Sequence, residues 1–308
     1  MSHRLAYLNG SFIPETEMKI SLLDRGFVHG DAVFDVTRTF GHKPFKLHDH
    51  IQRLYRSLQY LRIDPKITAE EVEGISLEVL NRNLPLISQD EDCTITQRIS
   101  RGSSLNPVLE PGPPTVAIYN QPISFYFAKY YNSGVNLQTS TVRRIPFESL
   151  DPRAKTQNRS NNALAEMEAK LRDSESVPLI LDIDGNIAES AVANFFLVSN
   201  GVIKTPSVDN CLEGITRNTV IELAQKLSIP VEEKHLQLYD AYTADEAFLT
   251  TTSYSVLPVK KIDGREIGKK TPGPVVQSLT EAWSDMVGVN IVAQAEKLAT
   301  PRKDTPGG

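Results

Sequence analysis

The run Asp151-Pro-Arg-Ala-Lys-Thr-Gln-Asn-Arg-Ser-Asn-Asn-Ala-Leu-Ala-Glu-Met-Glu-Ala-Lys170 carries a lysine through a proline-marked extended stretch to a point just before a helix. Past Ser160 the apolar residues Leu164, Met167 and Leu171 recur at helical spacing. That spacing predicts a helix packed on this stripe, with Lys155 held upstream of its first turn. A lysine fixed there can form a Schiff base. Most lysines are simply solvated, so the meaning of this one depends on what the rest of the chain brings to it.

Around the run lie 308 residues, 40% of them hydrophobic, enough for two domains with their own cores. A net charge of -5 offers no basic footprint, which argues against nucleic acid and for a small metabolite as partner. Cys93 and Cys211 belong to no Cys-x-x-Cys pair and read as reduced thiols rather than a disulfide framework or a zinc ribbon. No signal sequence is visible, and no apolar run approaches the roughly 20 residues of a membrane span. A cytoplasmic protein without a membrane partner is expected.

Working outward from the lysine, the chain alternates sheet and helix signals. Asn9-Gly10 turns a hairpin over Ala6 to Ile13, and Ala32 to Phe40 reads as a strand with Phe34, Val36 and Arg38 on one face. Leu22 to Gly30 reads as a loop. Asp49 stands as the N-cap of a helix carrying Ile51, Leu54, Leu58 and Leu61, and Thr68 with Glu71 forms a capping box for the next. Strands are expected at Thr94 to Arg101 and Thr115 to Tyr119, separated by a Pro/Gly/Ser-rich loop. Further strands follow at Val135 to Val142, Leu179 to Asp182, Asn194 to Val198, Val202 to Thr205 and Ala247 to Thr252, several joined by Asp-Gly or Asn-Gly turns. Consecutive hairpins imply an antiparallel or mixed sheet. Helices are expected from Gly214-Ile-Thr-Arg217 and over Val275 to Val287, with a hairpin at Asp263-Gly264. The expected division is a small domain over 1–120, a linker over 121–133, a larger domain over 134–298 and a disordered tail over 299–308.

Several features suggest an anion site. Ile215 and Thr216 at a helix start offer backbone N–H groups, as any helix start does, Thr252 offers a hydroxyl, and Arg53 a guanidinium, although an arginine on a helix face is usually exposed. Glu189 is a carboxylate between two strands. His42, His48 and His50 lack the carboxylate or cysteine spacing that would complete a metal site, so no metal is expected, and His29 reads as a packed loop residue.

His50-Ile-Gln-Arg-Leu54, Lys155-Thr-Gln-Asn-Arg159, Ala188-Glu-Ser190 with Asn194, Leu212-Glu-Gly-Ile-Thr-Arg217 and Leu249-Thr-Thr-Thr-Ser253 occur in the order seen in class IV aminotransferases. The chain resembles that family, the fold-type IV enzymes of pyridoxal 5'-phosphate, over nearly its whole length. The resemblance implies a mixed α/β (α+β) two-domain fold, with a small N-terminal domain and a larger, barrel-like sheet domain. It also implies a homodimer, in which the loop Gly102 to Pro111 walls the partner's site. Lys155 would carry the cofactor and shuttle a proton, and Glu189 would pair with the pyridine nitrogen. Arg53, the Ile215 and Thr216 amides and Thr252 would hold the phosphate, and Leu212 would pack on the ring. Many relatives place a tyrosine shortly after the lysine; here Arg159 is the nearest candidate for the cofactor's phenolic oxygen.

Amino-group transfer between an amino acid or primary amine and an α-keto acid is the implied activity. Phe34, Val36, Arg38, Ser253 and Tyr254 are the candidates for contact with the substrate. L-branched-chain enzymes of the family usually show Phe-Glu-Gly where this chain has Phe34-Asp-Val36, which sides instead with D-amino acid and (R)-amine enzymes. Asn106 and Val108 stand where D-amino acid enzymes place an arginine and a histidine, so Arg38 is the expected carboxylate partner unless it pairs with Asp35 or Glu110. Branched-chain L-amino acid transfer is the alternative. A second alternative is aminodeoxychorismate lyase, similar at Ile99-Ser-Arg-Gly-Ser103 but not in the Ser104-Leu-Asn-Pro107 that follows.

Overall fold

The computed structural model describes residues 4–104 and 112–299. Asn106, Val108 and Glu110 lie outside the described residues, as do 105–111 of the expected dimer loop and 300–308 of the tail. Contacts divide the chain into two compact units, Met1–Pro122 with Arg144–Leu164 and Val208–Ile215, and Ile123–Arg143 with Ala165–Ser207 and Thr216–Gly308. Where the sequence suggests one cut at 121–133, the Lys155 segment thus falls within the first unit. The reason is a set of backbone hydrogen bonds described below.

The first unit contains β1 (Leu5–Leu8), β2 (Ser11–Pro14), α1 (Arg25–His29), β3 (Ala32–Phe40), β4 (Lys43–Pro44), α2 (Leu47–Leu61), α3 (Ala69–Asn83), β5 (Cys93–Ser100) and β6 (Thr115–Pro122). The strands form one sheet in the order β2-β1-β6-β5-β3-β4, every pairing antiparallel. Val33, Ile95, Ile99, Val116 and Ile118 share a face and form a core with Ile51, Leu54 and Leu58 of α2 and Val72 and Val79 of α3. Each such side chain, fully buried, contributes about 1.5–3 kcal/mol. The Thr68–Glu71 capping box is present at the start of α3. Asp49 is not the cap of α2, which begins two residues earlier behind Lys46 in the left-handed region at φ 50, leaving Asp49 in the first turn. The Leu22 to Gly30 stretch is not wholly loop: Asp24 accepts from the Gly26 N–H at 2.7 Å and starts the short α1, on which His29 lies exposed rather than packed.

The second unit is built on α4 (Tyr130–Ser133), β7 (Val135–Thr139), α5 (Ser160–Arg172, from Ala165 onward), β8 (Val177–Leu181), β9 (Ile187–Ser190), β10 (Asn194–Ser199), β11 (Val202–Thr205), α6 (Ile215–Lys226, from Thr216 onward), β12 (Val231–Glu233), α7 (Leu238–Tyr242), β13 (Glu246–Thr251), β14 (Ser255–Ile262), β15 (Arg265–Glu266), α8 (Pro274–Val287) and α9 (Ile291–Leu298). Its sheet is mixed, with β7 parallel to both β14 and β8. The order β10-β13-β14-β7-β8-β9 returns on itself because β9 also pairs with β10, which closes a barrel-like ring.

One expectation fails here, and one helix was not foreseen. Leu164, Met167 and Leu171 are 55%, 62% and 87% exposed, whereas Ala165 and Ala169 are buried. The buried stripe Asn162, Ala165 and Ala169 has the same three-then-four spacing, offset by two residues and so nearly opposite on the helix. Polar anchors select the inner face: Glu168 accepts from the Thr141 N–H at 2.8 Å, and Arg172 donates to the Thr139 carbonyl at 3.0 Å. Helix α9, missing from the sequence reading, is capped by Asn290, whose side chain accepts from the Ala293 N–H. Among the described residues no helix is long and apolar enough to cross a membrane.

Candidate functional site

Lys155 owes its position to two elements of the first unit. Its carbonyl accepts from the Phe34 N–H at 3.0 Å, and the Gln157 N–H donates to the Ala32 carbonyl at 2.9 Å, around a bridge between Val33 and Thr156. The segment therefore adds to the edge of β3. From the other side, the Lys155 N–H donates to Ser57 Oγ at 3.0 Å, and that buried hydroxyl donates to the Arg53 carbonyl one turn back on α2. With its backbone tied on both sides, the side chain lies over the Phe34 ring, Nζ 4.7 Å from the centroid. The Arg159 guanidinium carbon is 5.5 Å from the same ring.

Arg53 is 4% exposed and clamped. Its Nε and one terminal nitrogen donate to the two oxygens of Asp35 at 2.9 and 2.8 Å, and the other terminal nitrogen donates to the Glu213 carbonyl at 3.0 Å. Three of the five guanidinium N–H donors are thereby engaged, and the terminal nitrogen on Asp35 also lies 3.4 Å from His50 Nδ1. The Glu213 contact brings Arg53 to the segment that leads through Gly214 into Ile215, the first residue of α6. Asp35 is fully buried; burial by itself would raise its pKa, but the Arg53 charge holds the carboxyl well below the usual carboxylate range. His50 lies 2.7 Å from the same carboxylate through Nδ1. Its burial outweighs the carboxylate and lowers its pKa, so the imidazole is neutral near pH 7 and donates from Nδ1 to the ionised Asp35.

The histidines are thus occupied singly. His48 contacts Glu73 at 3.0 Å, His42 contacts the Ser88 carbonyl at 3.1 Å, and no group of three or more possible metal ligands occurs among the described residues. Leu212 is half-buried in the first unit. Arg38 is 1% exposed, its guanidinium carbon 4.4 Å from the Phe40 ring centroid. Both oxygens of its suggested partner Asp35 serve Arg53.

The other candidates belong to the second unit. Glu189 is not in a loop between strands but within β9, 6% exposed, so simple solvation does not describe it. It faces Asn194 across the pairing that closes the ring. Thr216 is buried in the first turn of α6, and Thr252 and Ser253 occupy the turn between β13 and β14. Tyr254 packs in the core, its ring 5.4 Å from Phe127, and its carbonyl accepts from the Tyr131 hydroxyl at 2.7 Å.

Sequence reading missed Asp35 and Ser57, which orient Arg53 and Lys155. For Asp35 a signal existed: an acid on the core face of a predicted strand needs a buried partner, and His50 and Arg53 are the first basic side chains on the predicted helix that follows.

Comparison with known proteins identifies the family. The model of the family described as amino-transferase class IV matches residues 32–262. A putative branched-chain-amino-acid aminotransferase of Methanocaldococcus jannaschii is 37% identical over 284 residues, covering 91% of this chain and 95% of the relative. A D-alanine aminotransferase of Staphylococcus haemolyticus is 29% identical, covering 91% and 97%. A crystal structure of a branched-chain amino acid aminotransferase with pyridoxamine 5'-phosphate superimposes with a TM-score of 0.85 at 33% identity, covering 94% and 95%. That of the branched-chain aminotransferase of the thermophilic archaeon Thermoproteus uzoniensis with norvaline superimposes with a TM-score of 0.84 at 28% identity, covering 96% and 97%. On the length of the family match and the closeness of these likenesses, the chain belongs to the class IV aminotransferases, enzymes that use pyridoxal 5'-phosphate.

Proposed function

We propose that Lys155 is the residue that carries pyridoxal 5'-phosphate, and that the chain passes the amino group of an aliphatic amino acid to an α-keto acid. The observation that carries this reading is the double anchoring of Lys155 to β3 and α2. In the first unit the residues suit the cofactor, with an amine on a fixed backbone and a buried guanidinium oriented by Asp35; the second unit by itself supplies a buried carboxylate, Glu189, and a buried threonine at a helix start, Thr216. Arg53 would hold the phosphate, and the resemblance to the family gives the same task to the Ile215 and Thr216 amides and the Thr252 hydroxyl. Because Asp35 fixes the plane of Arg53, binding costs little reorganisation. Glu189 would hold a proton on the ring nitrogen, Leu212 would lie against one ring face, and Arg159 would stand by the phenolic oxygen. When bound, the cofactor supplies an electron sink for the substrate's α-carbon. Lys155 Nζ would remove the α-proton and return it during transfer.

For the donor, the names of the relatives support branched-chain L-amino acids. A second reading, D-amino acids or (R)-amines, is supported by Phe34-Asp-Val36 in β3 and by the D-alanine aminotransferase relatives. A cofactor-absorbance half-reaction with L-leucine, L-isoleucine, L-valine, D-alanine, D-glutamate and (R)-1-phenylethylamine separates them. Borohydride reduction followed by peptide mass spectrometry should find the cofactor on Lys155, and Lys155→Ala should lose both label and turnover. Label on a different lysine would overturn the assignment.

A homodimer belongs to the same proposal. The exposed apolar residues Ile20, Leu22, Leu23, Phe27 and Val28 ask for a covering surface. Light scattering that finds an active monomer would remove this part.

A further inference from the structure

One face of the first sheet is packed by α2 and α3 through Val33, Ile95, Ile99, Val116 and Ile118. The opposite face carries a cation that the assignments above leave unused. Antiparallel register sets Arg98 of β5 directly across from Phe34 of β3, and Ala117 of β6 directly across from Arg98. Residues paired in this way project to the same side. The Arg98 guanidinium carbon lies 5.2 Å from the Phe34 ring centroid, and its Nε donates to the Tyr119 hydroxyl at 2.8 Å. Tyr119 pairs with Thr96, two residues along β5, so it is the diagonal neighbour of Arg98 on this face.

The ring that Arg98 touches is the one under Lys155. Since Nζ is 4.7 Å and the Arg98 guanidinium 5.2 Å from one centroid, the two heads lie within about 10 Å of each other. Arg98 is exposed and has no carboxylate partner among the described residues. The nearest acid in the pairing, Asp35, is on the other face and serves Arg53 and His50. A guanidinium with one donor held by a phenol, one face against an aromatic ring and no carboxylate neighbour is oriented for a planar anion from outside.

Arg38 is less suited. It pairs with Thr94, four residues along β3 from Phe34, which is roughly 13 Å of strand. It is also buried against Phe40. Of the two strand arginines, Arg98 is therefore the one beside the ring that Lys155 overlies.

We propose that Arg98, held by Tyr119 and by the face of Phe34, binds the substrate carboxylate and thereby sets the preference for amino and keto acids over uncharged amines. This rests on the transaminase reading for its biological meaning, but its test does not require turnover. The cofactor-loaded full-length protein is titrated by calorimetry with 4-methylvalerate and with its uncharged isostere 4-methylvaleramide. Wild type should bind the acid about ten- to a hundredfold more tightly than the amide, the worth of a charge-assisted hydrogen bond. Arg98→Gln should abolish that ratio while leaving amide binding unchanged. Arg98→Lys should keep part of it, and Tyr119→Phe should weaken acid binding a few-fold. In turnover, Arg98→Gln should raise KM for the keto acid by the same factor with kcat little changed. Equal binding of acid and amide by wild type overturns the inference. So does an Arg98→Gln variant that keeps the acid preference, or one that loses acid and amide alike. If wild type transfers no amino group from any donor yet shows the Arg98-dependent preference, the transaminase reading fails and this one stands. If transfer proceeds with the preference intact in Arg98→Gln, the reverse holds.

Discussion

Helices α2 and α5 carry apolar residues at matching intervals and use them in opposite ways. In α2 the stripe Ile51, Leu54 and Leu58 is 0–1% exposed; in α5 the stripe Leu164, Met167 and Leu171 is 55–87% exposed. Helix α2 also buries a second, polar stripe, His50, Arg53 and Ser57, each at most 4% exposed. Periodicity therefore reveals which residues share a face but not which face is turned inward. In α5, alanines and two polar anchors decide that question. In α2 the apolar stripe supplies docking energy, while the polar one, held by Asp35, is where a proposed binding residue is positioned.

The comparison can be broken most severely at Asp35. Asp35→Asn leaves the Arg53 charge buried without its counter-charge, and urea unfolding should show a loss of about 3–5 kcal/mol. The folded pKa of Asp35 is depressed, so the ion pair's contribution is complete above the ordinary carboxylate value of about 3.9 and is lost as pH falls towards the lower folded value. Wild-type and Asp35→Asn stability should therefore converge in acid. A constant difference down to pH 2 would show that the charge is not what stabilises α2.

A smaller effect tests the inner face of α5. Ala169→Leu forces extra volume into a site 2% exposed and should cost about 1–3 kcal/mol. An unchanged melting curve would mean that the alanine stripe is not closely packed. The smallest effect belongs to the outer face, where Met167→Ser should alter the stability of an isolated chain by no more than about 0.5 kcal/mol. Thermal melts at two protein concentrations sharpen the point. A loss that grows with concentration would mean that a second copy covers this stripe.

The legible parts of the sequence were those whose cause is local. Asn9-Gly10, Asn200-Gly201 and Asp263-Gly264 all take positive φ, as tight hairpins demand, and the Thr68 box needs only three residues to close. The strand Ala32–Phe40 was readable from alternation and composition. What escaped depends on distant partners. The Asp35–Arg53 clamp joins residues 18 apart, and the Lys155 anchor on Ser57 spans 98. Glu189 looked like a loop residue because β9 is only four residues long, and its hold on the ring includes a single pairing with β10 that no local pattern encodes. The start of α2 misled for a different reason. Asp49 has the right side chain for a cap, but the left-handed Lys46 turns the chain earlier.

The stitching of the Lys155 segment onto β3 has a mechanical consequence. The Phe34 and Gln157 amides donate to carbonyls across the seam, so this backbone can leave only by unzipping from the edge of β3. Hydrogen exchange at Gln157 should then keep time with the opening of the sheet rather than with the fluctuation of a surface loop. The lysine is mounted on the bearing and not on the moving arm, and in the role proposed for it only its flexible four-carbon stem would swing.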